Sequence, residues 1–335
     1  MNNRYSAQSP LIGNNGQERL KKSRVLAIGC GGLAAVTLPY LVASGVGHIT
    51  LFDGDKVEAS NLNRQILFTE EDIGVNKATA LMIKLKQQNP TVDICAYSSF
   101  FSLEDGQKLV PDYDLVLDLS DTYATKTLIN YLCQQYQSPW IYASVLRWNG
   151  QVAAFSMQNE HSPCYKCLFP TTNKMVNCSD NGVIGAAVGV IASYQSILAI
   201  QTLLGETGHY NKLHVFDLWN LTKKEFNLFR DEKCKFHQDI HYIPTISYDD
   251  IYAKVNVRLI DVRSLLEWEQ GSLPNAERIL MADLMNNPMQ LFSKNDTIVI
   301  YCHSQTLSDL AVGFLIENGL NAYSLHGGFS KATKR

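Results

Sequence analysis

The chain has 335 residues, 46% of them hydrophobic, with a net charge of −3 and a pI near 6.2. This length favours two domains, or three, at roughly 150 residues each. The charge balance leaves no basic footprint for nucleic acid or an anionic membrane. The first two dozen residues lack the apolar core of a secretion signal. The longest apolar run, Val183 to Ala192, falls short of the ~20 helical residues that span a bilayer. Eight cysteines without such a signal point to metal or thiol chemistry in a reducing compartment. A cytoplasmic protein is expected, with neither nucleic acid nor membrane as partner.

In chain order, apolar runs predict strands at 24–28, 48–53, 92–97, 114–119 and 139–146, and helices at 33–44, 76–88, 102–110 and 123–137. This alternation implies a Rossmann-like, mostly parallel α/β sheet. The rhythm changes at Gly150: a strand over Gln151–Met157, a long helix near 183–204, then facing strands Lys212–Leu218 and Lys223–Phe229. These read as an antiparallel extension of the same sheet. After the polar link Gln238–Pro244 a second βα pattern begins. It has a helix at Ser247–Ala253, strands at Val257–Val262 and Thr297–Tyr301, a helix at Ser308–Glu317 and a strand at Ala322–Leu325. A boundary near residue 242 gives domains 1–242 and 243–335, the second a small α/β unit.

The chemistry concentrates in two segments. Gly29-Cys30-Gly31-Gly32-Leu33-Ala34 follows the strand Val25-Leu26-Ala27-Ile28 directly. A strand, a glycine turn and a helix form a mononucleotide site, with phosphate at the helix N-terminus and ribose against an acid ending the next strand. Alone, such a turn suits a dinucleotide fold equally well. The second segment is different: Asp53-Gly54-Asp55, Ser60-Asn61-Leu62-Asn63-Arg64-Gln65 and Gly74-Val75-Asn76-Lys77. It brings an arginine and a lysine to the nucleotide, which suits nucleotidyl transfer better than hydride transfer. If a carboxylate attacks the α-phosphate of ATP, both reactants are anions, and the attacking group needs no general base at pH 7. Arg64 would brace phosphates, Lys77 would add a compact charge, and Asp53 would accept from ribose hydroxyls. Asp121, ending the strand at 114–119, would hold Mg²⁺.

These motifs resemble the sulfur-carrier adenylyltransferases of molybdopterin and thiamine synthesis (the ThiF/MoeB/HesA group), relatives of ubiquitin-activating enzymes. The resemblance covers about residues 4–237. It implies that Gly29, Gly31, Gly32, Asp53, Asp55, Ser60, Asn61, Asn63, Arg64, Gln65, Lys77, Asp121 and Thr122 serve ATP. It also implies adenylation of the C-terminal Gly-Gly carboxylate of a small ubiquitin-like carrier, a homodimer, and a cysteine desulfurase as a further partner. Arg147 aligns with a strand beside the carrier tail. Two positions depart from the pattern. Ala7 stands where the family has an arginine that reaches the partner's ATP site, and Thr122 stands where it has asparagine.

Cys164-Tyr165-Lys166-Cys167 and Cys234-Lys235-Phe236-His237 are two knuckles whose four ligands suit a closed tetrahedral Zn²⁺ site. His241 is a rival for the last position. The resembling family carries four cysteines here. Cys178 precedes the long helix, where a thiolate is favoured. It matches the family thiol that takes the activated carrier, or it is an ordinary loop cysteine.

Residues 243–335 resemble a rhodanese domain through Leu259-Ile260-Asp261-Val262-Arg263, the stretch Glu267 to Ala276, and Tyr301-Cys302. The resemblance makes Cys302 a persulfide carrier. Its six-residue loop, Cys302-His303-Ser304-Gln305-Thr306-Leu307, lacks the usual arginine after the cysteine. The sequence thus reads as an ATP-dependent sulfur-carrier adenylyltransferase fused to a sulfur donor. Rival readings are an adenylating enzyme for a peptide or modified nucleoside, a degenerate carrier-binding scaffold, and an NAD oxidoreductase.

Overall fold

The computed structural model describes residues 3–158, 161–169, 182–232, 234, 244–302 and 305–332. They form two compact units, the first taking in 3–168 and 182–232 and the second 169, 234, 244–302 and 305–332.

The first unit is built on Arg24–Ile28 (β1), His48–Phe52 (β2), Asp93–Tyr97 (β3), Leu115–Asp118 (β4), Trp140–Leu146 (β5), Asn149–Phe155 (β6), Lys212–Asp217 (β7) and Thr222–Asn227 (β8). They make one sheet of order β3-β2-β1-β4-β5-β6-β7-β8. It is parallel from β3 to β5 and antiparallel from β5 to β8. In register, Ala27 of β1 faces Leu51 on one side and Leu117 on the other. The strand order therefore reverses between β1 and β4, and the carboxyl edge at such a point is where open α/β sheets take ligands.

Helices cover both faces, which is why β1 and β4 are apolar at consecutive positions. On one side Val25, Ala27, Ile49 and Leu117 join the core with Ala34–Ser44 (α2), Lys77–Gln88 (α3) and Gly185–Leu204. The helix Tyr123–Gln135 packs on β4 and β5, and Trp140 meets Tyr165 of the short helix Tyr165–Leu168. The helix α2 ends at Gly45 in the left-handed conformation (φ 84°), a common helix stop.

The helix Ser9–Lys22 (α1) was not expected from the sequence. Pro10, Gly13, Asn14, Asn15 and Gly16 depress its propensity, and Gly13 is non-helical (φ 67°). Packing overrides propensity here: Leu20 is buried, and a Cβ on Gly16 would lie 3.2 Å from Leu204. The apolar run at 183–192 also proves part of something longer. Leu103–Leu109 and Tyr123–Gln135 are α4 and α5, Tyr165–Leu168 is α6, and Gly185–Leu204 (α7) has 20 residues. It is long and apolar enough to cross a membrane, so the length argument fails. Half of its most apolar window is buried against α2, β5 and β6, as befits a core helix.

The second unit is a five-stranded parallel sheet of order β11-β10-β12-β13-β9. Its strands are Thr245–Ile246 (β9), Val257–Asp261 (β10), Glu277–Arg278 (β11), Thr297–Tyr301 (β12) and Asn321–Leu325 (β13). The helix expected over Ser247–Ala253 is only a 3₁₀ turn, Asp249–Ala253. The expected helix after Cys302 is present and starts earlier, Gln305–Glu317.

Candidate active site

A cleft of ≈560 Å³ opens at the carboxyl ends of β1 and β4. Its floor is the glycine turn, and each glycine has its own reason. At Gly29 (φ 101°) a Cβ would lie 2.7 Å from the Leu119 carbonyl oxygen, so its absence lets the end of β4 pass. At Gly32 a Cβ would come within 3.0 Å of Val188 on α7. Gly31 lines the cleft, and a Cβ there would meet only the Gln65 side-chain amide, at an ordinary 3.7 Å.

The acidic loop after β2 is tied down before any ligand arrives. Asp53 accepts from the Cys30 amide at 2.7 Å and the Asp55 amide at 2.8 Å. Burial nevertheless raises its carboxyl above the ordinary range, against those amides and Lys77. Asn76 caps α3 by accepting from the Thr79 amide, while its own amide donates to the Asp53 and Asp55 carbonyls. The next residue, Lys77, is only 9% exposed and donates to the Asp55 carboxylate at 3.1 Å. Arg64 donates to the Ser60 carbonyl at 2.9 Å and to Asn63 Oδ1 at 3.0 Å. Its guanidinium is thus aimed while donors remain.

Gly29, Gly31, Gly32, Asp53, Asp55, Ser60, Asn63, Arg64, Gln65, Lys77, Asp121 and Thr122 all line this one cleft. Asn61 does not. It is buried and accepts from the Glu58 amide, closing a capping box on the turn Ala59–Asn61. Gln65 is almost fully buried, and among the described residues its Oε1 has no hydrogen-bond partner. An unpaired polar atom beside the glycine turn fits a polar ligand there.

Sequence reasoning missed the aromatic wall. Phe100 and Phe101 line the cleft just beyond β3. Phe101 packs edge-on to Phe52, which stacks on Tyr97 at 4.5 Å. The ring of Phe100 lies over Gly54, where a Cβ would come within 2.7 Å of it, yet it stays 61% exposed. The available signal was an aromatic pair following a strand at the ligand edge. Ser144, Val145, Gly182 and Val183 complete the far side. Arg147 adjoins them in the left-handed region (φ 56°), its amide donating to the Gly182 carbonyl at 3.0 Å. Arg4 donates to the Gln88 carbonyl of its own chain.

The sulfurs of Cys164 and Cys167 are separated by 3.7 Å. A tetrahedron with Zn–S arms of ~2.3 Å has an edge of about 3.8 Å, so this pair fits zinc. The Asp231 amide points at Cys167 Sγ at 3.4 Å, as suits a thiolate. His237 and its rival His241 lie outside the described residues, as does Cys178.

In the second unit Cys302 directly follows β12 and is 3% exposed, its carbonyl accepting from the Phe329 amide. Arg263 nearby is committed elsewhere: it pairs with buried Asp261 through two nitrogens and lies 3.6 Å above the Phe329 ring. His303 lies outside the described residues.

The ThiF family profile matches residues 5–236, and the rhodanese-like domain profile matches residues 247–335. The sulfur carrier protein adenylyltransferase of Thermus thermophilus is 35% identical over 243 residues, covering 69% of this chain and 89% of the relative. The adenylyltransferase and sulfurtransferase MOCS3 of Drosophila sechellia is 30% identical over 356 positions, covering 93% and 78%. The crystal structure of E. coli MccB with ATP superposes with a TM-score of 0.62 at 23% identity, over 71% of this chain and 74% of that one, a likeness of fold. With its glycine turn, acidic loop and Arg64–Lys77 cations gathered at one switch point, the chain belongs to the ThiF family and continues into a rhodanese-like domain.

Proposed function

We propose that this protein adenylates the C-terminal Gly-Gly carboxylate of a ubiquitin-like sulfur-carrier protein with ATP, releasing pyrophosphate. The observation that carries this reading is the convergence of Arg64, Lys77, Asp53 and Asp121 on the cleft at the β1/β4 switch point. The Thermus relative named as a sulfur carrier protein adenylyltransferase supports it.

In this reading the carboxylate oxygen bonds to the α-phosphorus, the bond to the β-phosphate bridging oxygen breaks, and pyrophosphate leaves. Lys77 and Arg64 stabilise the charge that accumulates as that bond breaks. To meet the nucleotide, Lys77 gives up part of its contact with Asp55. Asp53 accepts from the ribose, and the Phe100 face packs on the base. Asp121 and Asp55 are the carboxylates that would hold Mg²⁺, which when bound neutralises phosphate charge. No side chain is needed as general base.

Residues 1–242 form the adenylyltransferase domain, with structural Zn²⁺ on Cys164, Cys167, Cys234 and His237. Residues 243–335 form the sulfur-donor domain, with Cys302 as persulfide site and a cysteine desulfurase as the upstream source. Cys178 receives the activated carrier. The enzyme works in the cytoplasm as a homodimer whose ATP sites lack an arginine from the partner, because position 7 is alanine. The product serves molybdopterin, thiamine or related thio-cofactor synthesis, and the MOCS3 relative, an adenylyltransferase and sulfurtransferase by name, supports the pairing of activities.

The test is ATP–pyrophosphate exchange with candidate carriers, intact and shortened by the terminal glycine. Exchange that needs the intact tail is expected. Exchange indifferent to the carrier, or none with any carrier, would overturn the reading.

A further inference from the structure

Lys126 on α5 is 5% exposed, and each of its ammonium donors has an acceptor. It donates to Asp118 Oδ2 at 2.7 Å, to the Ser120 carbonyl at 2.7 Å and to the Ala143 carbonyl at 3.2 Å. Asp118, at the end of β4, is fully buried. Its other oxygen accepts from the Ser120 amide at 3.1 Å and the Ser120 hydroxyl at 2.6 Å. Ser120 is therefore held through its amide, carbonyl and hydroxyl by this one pair. The next two residues, Asp121 and Thr122, line the nucleotide cleft, and Thr122 caps α5 by accepting from the Thr125 amide.

The same turn is fixed on its other flank. The Leu119 amide donates to the Ile28 carbonyl at 2.9 Å, and bare Gly29 admits Leu119 and Ser120 at close range. From α7, Gln195 donates to the Asp118 carbonyl at 3.0 Å and the Ile141 carbonyl at 3.2 Å.

A buried ion pair is weak evidence for stability, since a well-packed apolar pair of similar volume often serves as well or better. What an apolar pair could not do is grip the Ser120 backbone. We infer that the Asp118–Lys126 pair is a positioning device for the β4–α5 turn, setting Asp121 and Thr122 against the nucleotide. The inference rests on the nucleotide reading of the cleft. Neither member of the pair touches the ligand; both act through Ser120.

The test compares ATP affinity by calorimetry in the full-length protein, with Mg²⁺ present, across variants of known thermal stability. Because Lys126→Met leaves the Asp118 carboxylate buried without its cation, the pair variant D118N/K126M is measured beside it. Leu20→Ala, at a buried position of α1 and outside the turn, serves as a control for stability loss alone. Displacement of a binding group is costly even over small distances. Both turn variants are expected to weaken ATP binding on the order of tenfold or more, with Lys126→Arg recovering part of the loss. Leu20→Ala should lose stability with its ATP affinity unchanged. Wild-type protein that binds no ATP would overturn the nucleotide reading itself. Wild-type binding accompanied by unchanged affinity in D118N/K126M, or by equal weakening in Leu20→Ala, would overturn only the positioning role.

Discussion

Two carboxyl edges of parallel strands carry the chemistry of this chain, and they are furnished in opposite ways. At the end of β1 the cleft holds Arg64 and Lys77, each already aimed by a neighbour: Asp55 for the lysine, the Ser60 carbonyl and Asn63 for the arginine. At the end of β12 the segment Cys302 to Leu307 contains no lysine or arginine. Arg263, stacked on Phe329, whose amide bonds to the Cys302 carbonyl, is 2% exposed and bound to Asp261. Similar backbone architecture thus serves two electrostatic regimes. One edge presents the side-chain cations Arg64 and Lys77 to its cleft, and the other follows Cys302 with a segment that carries neither lysine nor arginine.

The sharpest way to break this contrast is to remove charge from the first edge. Asp121→Ala should abolish pyrophosphate exchange while leaving the fold intact, because the side chain is exposed. Lys77→Ala and Arg64→Ala should each slow exchange by about two decades, the rate equivalent of ~3 kcal/mol of lost transition-state stabilisation. Near-normal exchange in all three would remove the nucleotide role of the cleft.

Next in size is the sulfur cluster. Serine at Cys164 should eliminate bound zinc on metal analysis and lower the melting temperature markedly, yet leave ATP affinity nearly unchanged. Loss of ATP binding in step with zinc would show that the cluster shapes the cleft directly.

The second edge should respond more modestly. Thiosulfate:cyanide transferase activity is expected to be low in the wild type, to rise several-fold in His303→Arg, and to vanish in Cys302→Ala. Robust wild-type activity would mean that Cys302 needs no nearby cation. Activity surviving in Cys302→Ala would move the sulfur chemistry to another cysteine.

The smallest effect concerns His214 on β7, which does not line the nucleotide cleft. Burial, with Lys223 beside it, depresses its pKa to about 4 from the ordinary ~6.5 of an unfolded chain. Between those values the unfolded state binds more protons, so stability should fall as pH drops from about 6.5 to 4 and level off below. Denaturant titrations of His214→Phe should lack that part of the slope. An unchanged slope would assign the acid sensitivity to other groups.

The cleft was largely legible in the sequence because phosphate chemistry demands rare features at fixed spacing. A glycine turn after a strand, an acid ending the next strand and a following Arg and Lys have few structural alternatives. What escaped has physical reasons. Asn61 sits within the polar block, but it caps a turn, a role that uses the same residue type. Phe100 and Phe101 look like ordinary apolar residues until the parallel register carries the end of β3 to the ligand edge. Lys126 reads as a solvated helix residue, and only the fold shows Asp118, Ser120 and Ala143 converging on it. The helix α1 was hidden by local propensity, which its contact with α7 overrides.

The central claim is that the carrier's own C-terminal carboxylate becomes the adenylated group. Intact-mass spectrometry of a Gly-Gly-terminated carrier, incubated with the full-length protein, ATP and Mg²⁺, tests it most directly. The expected result is a carrier heavier by one adenylyl group, located by fragmentation at the terminal glycine and absent when that glycine is removed. An adenylyl group elsewhere on the carrier, or an unmodified carrier in the presence of ATP turnover, would contradict the account.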